Sequence, residues 1–170
     1  EALFSMLGDL EGARVLDLYA GTGAIGIEAL SRGAKAAVFV DSGVPPCRAI
    51  RENLDTLGLD GEIMKMDAAR AVELMSREGR VFDFAFADPP YDLGLAADAA
   101  MRVCGAGILA PKGIMAVTAR KTEILPLDAG GGRTVLVDRR YGDTRLVVYG
   151  VYEYTERTGP SGLSAGKRTK

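Results

Sequence analysis

Short apolar runs recur along this chain, separated by longer stretches whose apolar positions fall at helical spacing. The runs are Val15-Leu16-Asp17-Leu18, Ala36 to Val40, Ile63-Met64-Lys65-Met66, Phe82 to Ala87, and residues 113–118. Apolar runs of this length, bounded by turn residues, read as buried strands, and their alternation with helical stretches argues an α/β fold with a parallel sheet. The pattern predicts a helix near residues 1–8 and strands at 14–19, 36–41, 62–66, 82–87 and 113–118. Helices are predicted between them at 24–32, 46–57, 68–78 and 94–104. From Lys121 to Gly132 the chain holds Pro126 and three consecutive glycines, so no full helix is expected there. Two last strands, near 134–140 and 145–152, flank Tyr141-Gly142-Asp143-Thr144, a hairpin signal. The expectation is one domain over residues 1–154, without internal repeats, followed by a disordered basic tail at 155–170.

The fourth run ends in Asp88-Pro89-Pro90-Tyr91. The prolines fix φ, force extended backbone before them, and leave carbonyl acceptors without competing N–H donors. Asp88 adds an acceptor-only side chain and Tyr91 a ring that can stack on a base. Such a site suits a flat ring bearing an amino group and suits a phosphate poorly. A turn of this composition is also an ordinary way to leave a strand, so its meaning depends on the rest of the chain.

The first run leads into Tyr19-Ala20-Gly21-Thr22-Gly23-Ala24-Ile25-Gly26, a strand, a glycine-rich turn and a helix start. Gly21, Gly23 and Gly26 match G-x-G-x-x-G: a tight turn, close backbone approach to a ligand, and close helix packing, with helix N–H groups and dipole facing the ligand. Asp41 ends the second run, at a spacing that fits a carboxylate on ribose hydroxyls. The same pattern describes nicotinamide-binding proteins. Two features favour S-adenosylmethionine instead. Asp17, inside the end of the first strand, would repel a diphosphate but could meet a methionine ammonium. Asp67, with Ala68, ends the third run where it could read an adenine edge, although a helix N-cap explains Asp67 equally. Tyr19 and Thr22 complete the candidate cofactor set, Tyr19 reading more readily as a core aromatic.

These segments together resemble the bacterial methyltransferases that modify guanine N2 in 16S ribosomal RNA. The resemblance is carried by Glu1-Ala2-Leu3-Phe4-Ser5-Met6-Leu7, Leu16 to Gly23, Glu28-Ala29-Leu30-Ser31-Arg32-Gly33-Ala34, Asn53-Leu54, Asp67-Ala68, Asp88 to Tyr91 and Tyr141 to Thr144. It implies a class I S-adenosylmethionine-dependent methyltransferase, a Rossmann-like seven-stranded sheet with an antiparallel C-terminal hairpin. It also implies Asp88, Pro89, Pro90 and Tyr91 as the catalytic residues, S-adenosylmethionine as cofactor, and 16S rRNA, in an assembled small subunit, as partner of a cytoplasmic monomer. Family members carry a basic N-terminal segment before the residues matching Glu1; this chain begins after it, without Met, and reads as a fragment. Asp41 stands where Glu is usual, and Ser42-Gly43-Val44-Pro45-Pro46 departs from the family around the adenosine site.

Composition narrows the picture. With 170 residues, 48% of them hydrophobic, the chain suits one globular core. No apolar run approaches the roughly 18 residues of a bilayer span. There is no histidine, which excludes histidine acid/base chemistry, and Cys47 and Cys104 show no metal-ligand spacing and read as reduced thiols. No metal site is expected. A net charge of −2 argues against indiscriminate nucleic-acid binding. Local patches would have to meet phosphates; the candidates are Arg133, Arg139, Arg140 and Arg145 around the hairpin and Arg48 and Arg51 on the second helix, each explained equally as a solvated charge. The rivals are an amino-methyltransferase for DNA adenine or cytosine, which should carry a target-recognition insertion not found here, one for another RNA, a nicotinamide oxidoreductase, and a non-catalytic cofactor-binding scaffold.

Overall fold

A computed structural model describes residues 3–4, 8–91 and 93–152. Leu3 and Phe4 are helical, at the place of the expected first helix; the rest of that helix apart from Gly8, and the expected basic tail at 155–170, lie outside the described residues. The chain then runs β1 (Arg14–Leu18), α1 (Ala24–Ser31), β2 (Ala36–Asp41), α2 (Val44–Leu57), β3 (Glu62–Lys65) and α3 (Ala68–Arg77). It continues through β4 (Phe82–Ala87), α4 (Leu95–Gly105), β5 (Leu109–Arg120), β6 (Asp128–Gly130), β7 (Arg133–Tyr141) and β8 (Thr144–Gly150).

All strands join one sheet in the order β3-β2-β1-β4-β5-β8-β7-β6. The first five are parallel and the rest antiparallel. Val15, Phe84 and Phe86 face one core with Phe39, Ile50 and Leu54, while Leu16, Val38 and Ala85 face another with Met75 and Val103. Burial on both faces explains why the central strands read as unbroken apolar runs rather than alternating ones. The helices α1 and α2 pack on one side of the sheet, α3 and α4 on the other.

Three departures from the sequence expectation have local causes. Helix α2 begins at Val44, ahead of Pro45 and Pro46; a proline's missing N–H is no loss in a first turn, where that donor has no helical partner. Strand β5 begins at Leu109, with Pro111 and Gly113 accommodated where its register on β4 shifts between Phe82 and Phe84. The sheet has eight strands rather than seven, because Asp128–Gly130 pairs with the start of β7 inside the stretch expected to be irregular. The hairpin turn falls at Gly142-Asp143 between β7 and β8, as expected.

This topology places the site. Strand β1 lies between β2 and β4, so the strand order reverses direction at the β1/β4 boundary, where open α/β sheets bind ligands at their C-terminal edge. Because β8 runs antiparallel to β5, Thr144 and the hairpin turn reach that same edge beside Arg120. Among the described residues no helix is long and apolar enough to cross a membrane.

Candidate functional site

Past Leu18, Tyr19 turns the chain out of the sheet with φ +55, the one non-glycine residue in the left-handed region among those described. Holding a side chain there costs on the order of 1–3 kcal/mol, and such strain gathers at functional sites. Tyr19 is half-buried, packs on the core as a core aromatic would, and also lines the cleft. The loop is fixed at several points. Gly23 N–H donates to the Ala20 carbonyl (2.7 Å), Asn53 Nδ2 donates to the Thr22 carbonyl (3.0 Å), and Gly21 N–H donates to Asp41 Oδ2 (3.0 Å). Asp41 Oδ1 accepts from Gly43 N–H at 2.9 Å, so one carboxylate ties the loops after β1 and β2 together.

The three glycines differ in purpose. Gly21 has φ +58, and a Cβ built on it would meet nothing within 4 Å, so its outer side is open to a ligand. At Gly23 (φ +79) a Cβ would lie 3.2 Å from Ile50 and Phe39, and at Gly26 it would lie 2.3 Å from the Phe39 ring. Gly26, expected among the cofactor-binding residues, is buried and serves close packing of α1 on β2.

Asp17 is 2% exposed, and its Oδ2 accepts the Gly26 N–H at 3.0 Å. Expected as a direct contact to a ligand ammonium, it is instead shut beneath the loop and acts on its backbone. Burial pushes its carboxyl up to about 7; the Gly26 hydrogen bond pulls the other way, and the charges of Asp88 and Asp41 add to the rise. A raised carboxyl contributes stability that is present below its ordinary value near 3.8 and is lost as pH rises through about 7. At 1.36 kcal/mol per unit this amounts to a few kcal/mol. Asp17→Asn keeps an acceptor for Gly26 without ionising. Denaturant unfolding should therefore find the variant more stable than the parent at pH 8, by on the order of 3 kcal/mol, and nearly equal to it at pH 4. A pH-independent difference would refute this account.

Tyr19, Asp41 and Ser42 on one side and Asp88 to Tyr91 on the other enclose a cleft of about 420 Å³, within the roughly 300–1,000 Å³ usual for small-molecule sites. Asp88 follows directly on β4, and Thr118 Oγ1 donates a short hydrogen bond to its Oδ1. Thr118 was not singled out in the sequence, although it is the one polar residue in the run Ile114 to Ala119. Pro89 is buried and Pro90 exposed. Tyr91 is 38% exposed; its Oη lies 3.3 Å from Thr144 Oγ1, and the Arg120 guanidinium sits over its ring, 5.7 Å from the centroid.

Asp67 caps α3, its Oδ1 accepting from Ala69 N–H (2.9 Å) and Arg70 N–H (3.1 Å). The N-cap reading is therefore realised, with Oδ2 and the first-turn N–H of Ala68 outside those bonds. Several of the suggested phosphate-binding cations are used internally. Arg133 is 6% exposed and donates to the carbonyls of Gly113, Gly131, Leu109 and Ala110. Arg145 pairs with Asp138 (2.6 Å) and donates to the Glu123 carbonyl, and Arg48 lies 3.7 Å from Glu52. Arg51, Arg139 and Arg140 form no ion pair among the described residues.

The donor set fits S-adenosylmethionine. Carboxylates line the cleft and lie beneath its loop, suited to a cation and to hydroxyls and opposed to a diphosphate, and the backbone at Gly21 is open for close approach. The family described as "Conserved hypothetical protein 95" matches residues 1–150. A putative rRNA methyltransferase of Bacillus subtilis is 40% identical over 94 residues, 54% of this chain and 51% of that protein, so the match spans about half of that relative's length. Ribosomal RNA small subunit methyltransferase D of Haemophilus influenzae is 29% identical over 156 residues, 90% of this chain and 78% of that protein. The solved structure of a conserved hypothetical protein of Streptococcus pyogenes superposes with a TM-score of 0.80 at 30% identity, covering 89% of this chain and 94% of that one.

Proposed function

We propose that this chain, which belongs to the family described as conserved hypothetical protein 95, transfers a methyl group from S-adenosylmethionine to the exocyclic N2 of a guanine in 16S ribosomal RNA. The observation that carries this reading is the convergence of Asp88-Pro89-Pro90-Tyr91 with Tyr19 and Asp41 in one cleft at the β1/β4 boundary.

When bound, S-adenosylmethionine supplies an electrophilic methyl group on a sulfonium. The chain holds it through the loop at Gly21, Thr22 and Gly23, whose shape Asp17 fixes from below through Gly26. In this reading Asp41 takes the ribose hydroxyls, and Asp67 Oδ2 with the Ala68 N–H, both outside the N-cap bonds, takes the adenine edge. The target nitrogen is a poor nucleophile because its lone pair is delocalised into the ring. Asp88 and the Pro89 carbonyl accept its two N–H bonds, which turns the lone pair out of conjugation. Thr118 engages Oδ1 of Asp88 and so leaves Oδ2 for the guanine. Oδ2 also takes up the proton released after transfer. Orientation of this kind is worth roughly 7–11 kcal/mol in well-aligned systems. The base stacks on Tyr91, on the face away from Arg120, a contact worth on the order of 1–3 kcal/mol.

The acidic balance of the chain favours an assembled small subunit as the substrate, since its proteins can contribute contacts, and a ribosomal substrate implies a cytoplasmic activity. Small subunits from a strain lacking the enzyme, incubated with the protein and labelled S-adenosylmethionine, are expected to take label on one guanine N2 of 16S RNA. Tight cofactor binding without transfer to rRNA would retain the fold and redirect the search to other amino-bearing substrates.

A further inference from the structure

The register of the antiparallel strands carries the face of Asp88 across to the hairpin. Thr118 lies opposite Leu146, and Leu146 opposite Arg139. In the next row, Arg120 lies opposite Thr144, and Thr144 opposite Tyr141. Residues directly opposite in a ladder project to one face of the sheet. Since Thr118 reaches Asp88 with its hydroxyl, Arg139 and Tyr141 stand on the catalytic face, and Tyr91 joins their rows through Thr144 and Arg120. Arg140, one residue along, projects to the opposite face with Asp138 and Arg145.

We infer that the β7–β8 hairpin end presents Arg139 and Tyr141 as a docking rim for the RNA strand flanking the target guanine, an inference that rests on the function proposed above. Charge is the first argument. A chain of net charge −2 cannot hold a polyanion by its overall field and needs local cations. Arg133 and Arg145 are tied to carbonyls and to Asp138, whereas Arg139 is exposed and forms no ion pair among the described residues. Chemistry is the second. Tyr141, two residues further along the same strand face, is 45% exposed, and a cation with an aromatic face is the pairing that tracks single-stranded nucleic acid. Distance is the third. Arg139 is three strands from Asp88, about 14 Å at the usual interstrand spacing, too far for the target base and within reach of its neighbours.

The test is steady-state transfer to unmethylated small ribosomal subunits over a range of salt concentrations. Arg139→Glu is expected to raise KM about 10-fold with kcat within about twofold, and to reduce the salt slope by about 0.7. Arg139→Lys should stay within about threefold of the parent and Arg140→Glu within about twofold, because one restores the charge and the other lies on the opposite face. Tyr141→Ala should raise KM about 5-fold or more, which keeps the test decisive if the Arg139→Glu protein does not fold. An unchanged KM in both Arg139→Glu and Tyr141→Ala, or an equal rise in Arg140→Glu, would overturn the rim while leaving the methyltransferase reading intact. No transfer by the parent protein would overturn both.

Discussion

Asp88→Ala is expected to abolish methyl transfer, with kcat reduced about 1,000-fold or more and the cofactor dissociation constant changed by no more than about twofold. Two arguments set the size. First, removing one preorganised group that acts on the reacting centre typically costs about 100- to 1,000-fold in kcat. In the proposed reaction Asp88 makes more than one such contact, orienting the amino group and taking its proton. Second, the fold does not depend on it. Asp88 is exposed, follows the last residue of β4, and has Thr118 as its side-chain hydrogen-bond partner among the described residues. The loop proposed to hold the cofactor is fixed instead by Asp17, Asp41 and Asn53, so affinity for S-adenosylmethionine should persist. Single-turnover transfer with labelled cofactor, paired with calorimetric binding, separates the two quantities. Thr118→Val should fall between parent and Asp88→Ala, losing about 10-fold in kcat at constant KM, with Thr118→Ser restoring it. Normal turnover by Asp88→Ala would remove this carboxylate from the mechanism.

What the sequence revealed and what it hid follow from the range of the interactions. Strands β2 and β4 are legible to the residue because both faces are buried and the runs end in polar turns. Helix α2 starts at Val44, two residues ahead of the expected position 46, because the first helical turn tolerates prolines. Strand β6 has only three residues, one of them Gly130, and carries no pattern of its own; its pairing with β7 is a tertiary fact. Within the site, Asp41 and Asp88 were legible because a carboxylate at the end of a parallel strand has a predictable address. The bonds that give them their orientation, Gly21 and Gly43 to Asp41 and Thr118 to Asp88, join different elements and leave little trace in local spacing. The same holds for Arg133. As a sequence letter beside three other arginines it reads as surface charge, but twenty residues away lie Gly113 and its neighbours, whose carbonyls draw it into the interior. Asp67 shows the opposite limit, since a single local pattern served both a ligand contact and a helix cap, and the cap is present.

Gly26→Val should destabilise the protein by at least about 3 kcal/mol and loosen cofactor binding with it. In an exposed helix the replacement would be mildly favourable, by a few tenths of a kcal/mol, since glycine is the poorest helix former after proline. Here a Cβ would lie 2.3 Å from Cε1 and 2.8 Å from Cζ of Phe39, well inside any contact distance. Phe39 is fully buried in the central sheet and cannot swing aside. Relief would have to come from moving α1 off β2, and overpacking of that kind typically costs about 1–3 kcal/mol and sometimes more. The steric term therefore outweighs propensity. Movement of α1 also displaces the Gly26 N–H that Asp17 holds, and with it the loop at Gly21, which is how a packing change at Gly26 would reach the proposed cofactor site. At about 2–4 °C per kcal/mol for a domain of this size, the melting temperature should fall by roughly 6–12 °C. Phe39→Leu in the same chain should recover part of that loss, a coupling of about 0.5–3 kcal/mol in a double-mutant cycle. Additive losses in the cycle would show that the third glycine is required for some reason other than the ring beneath it.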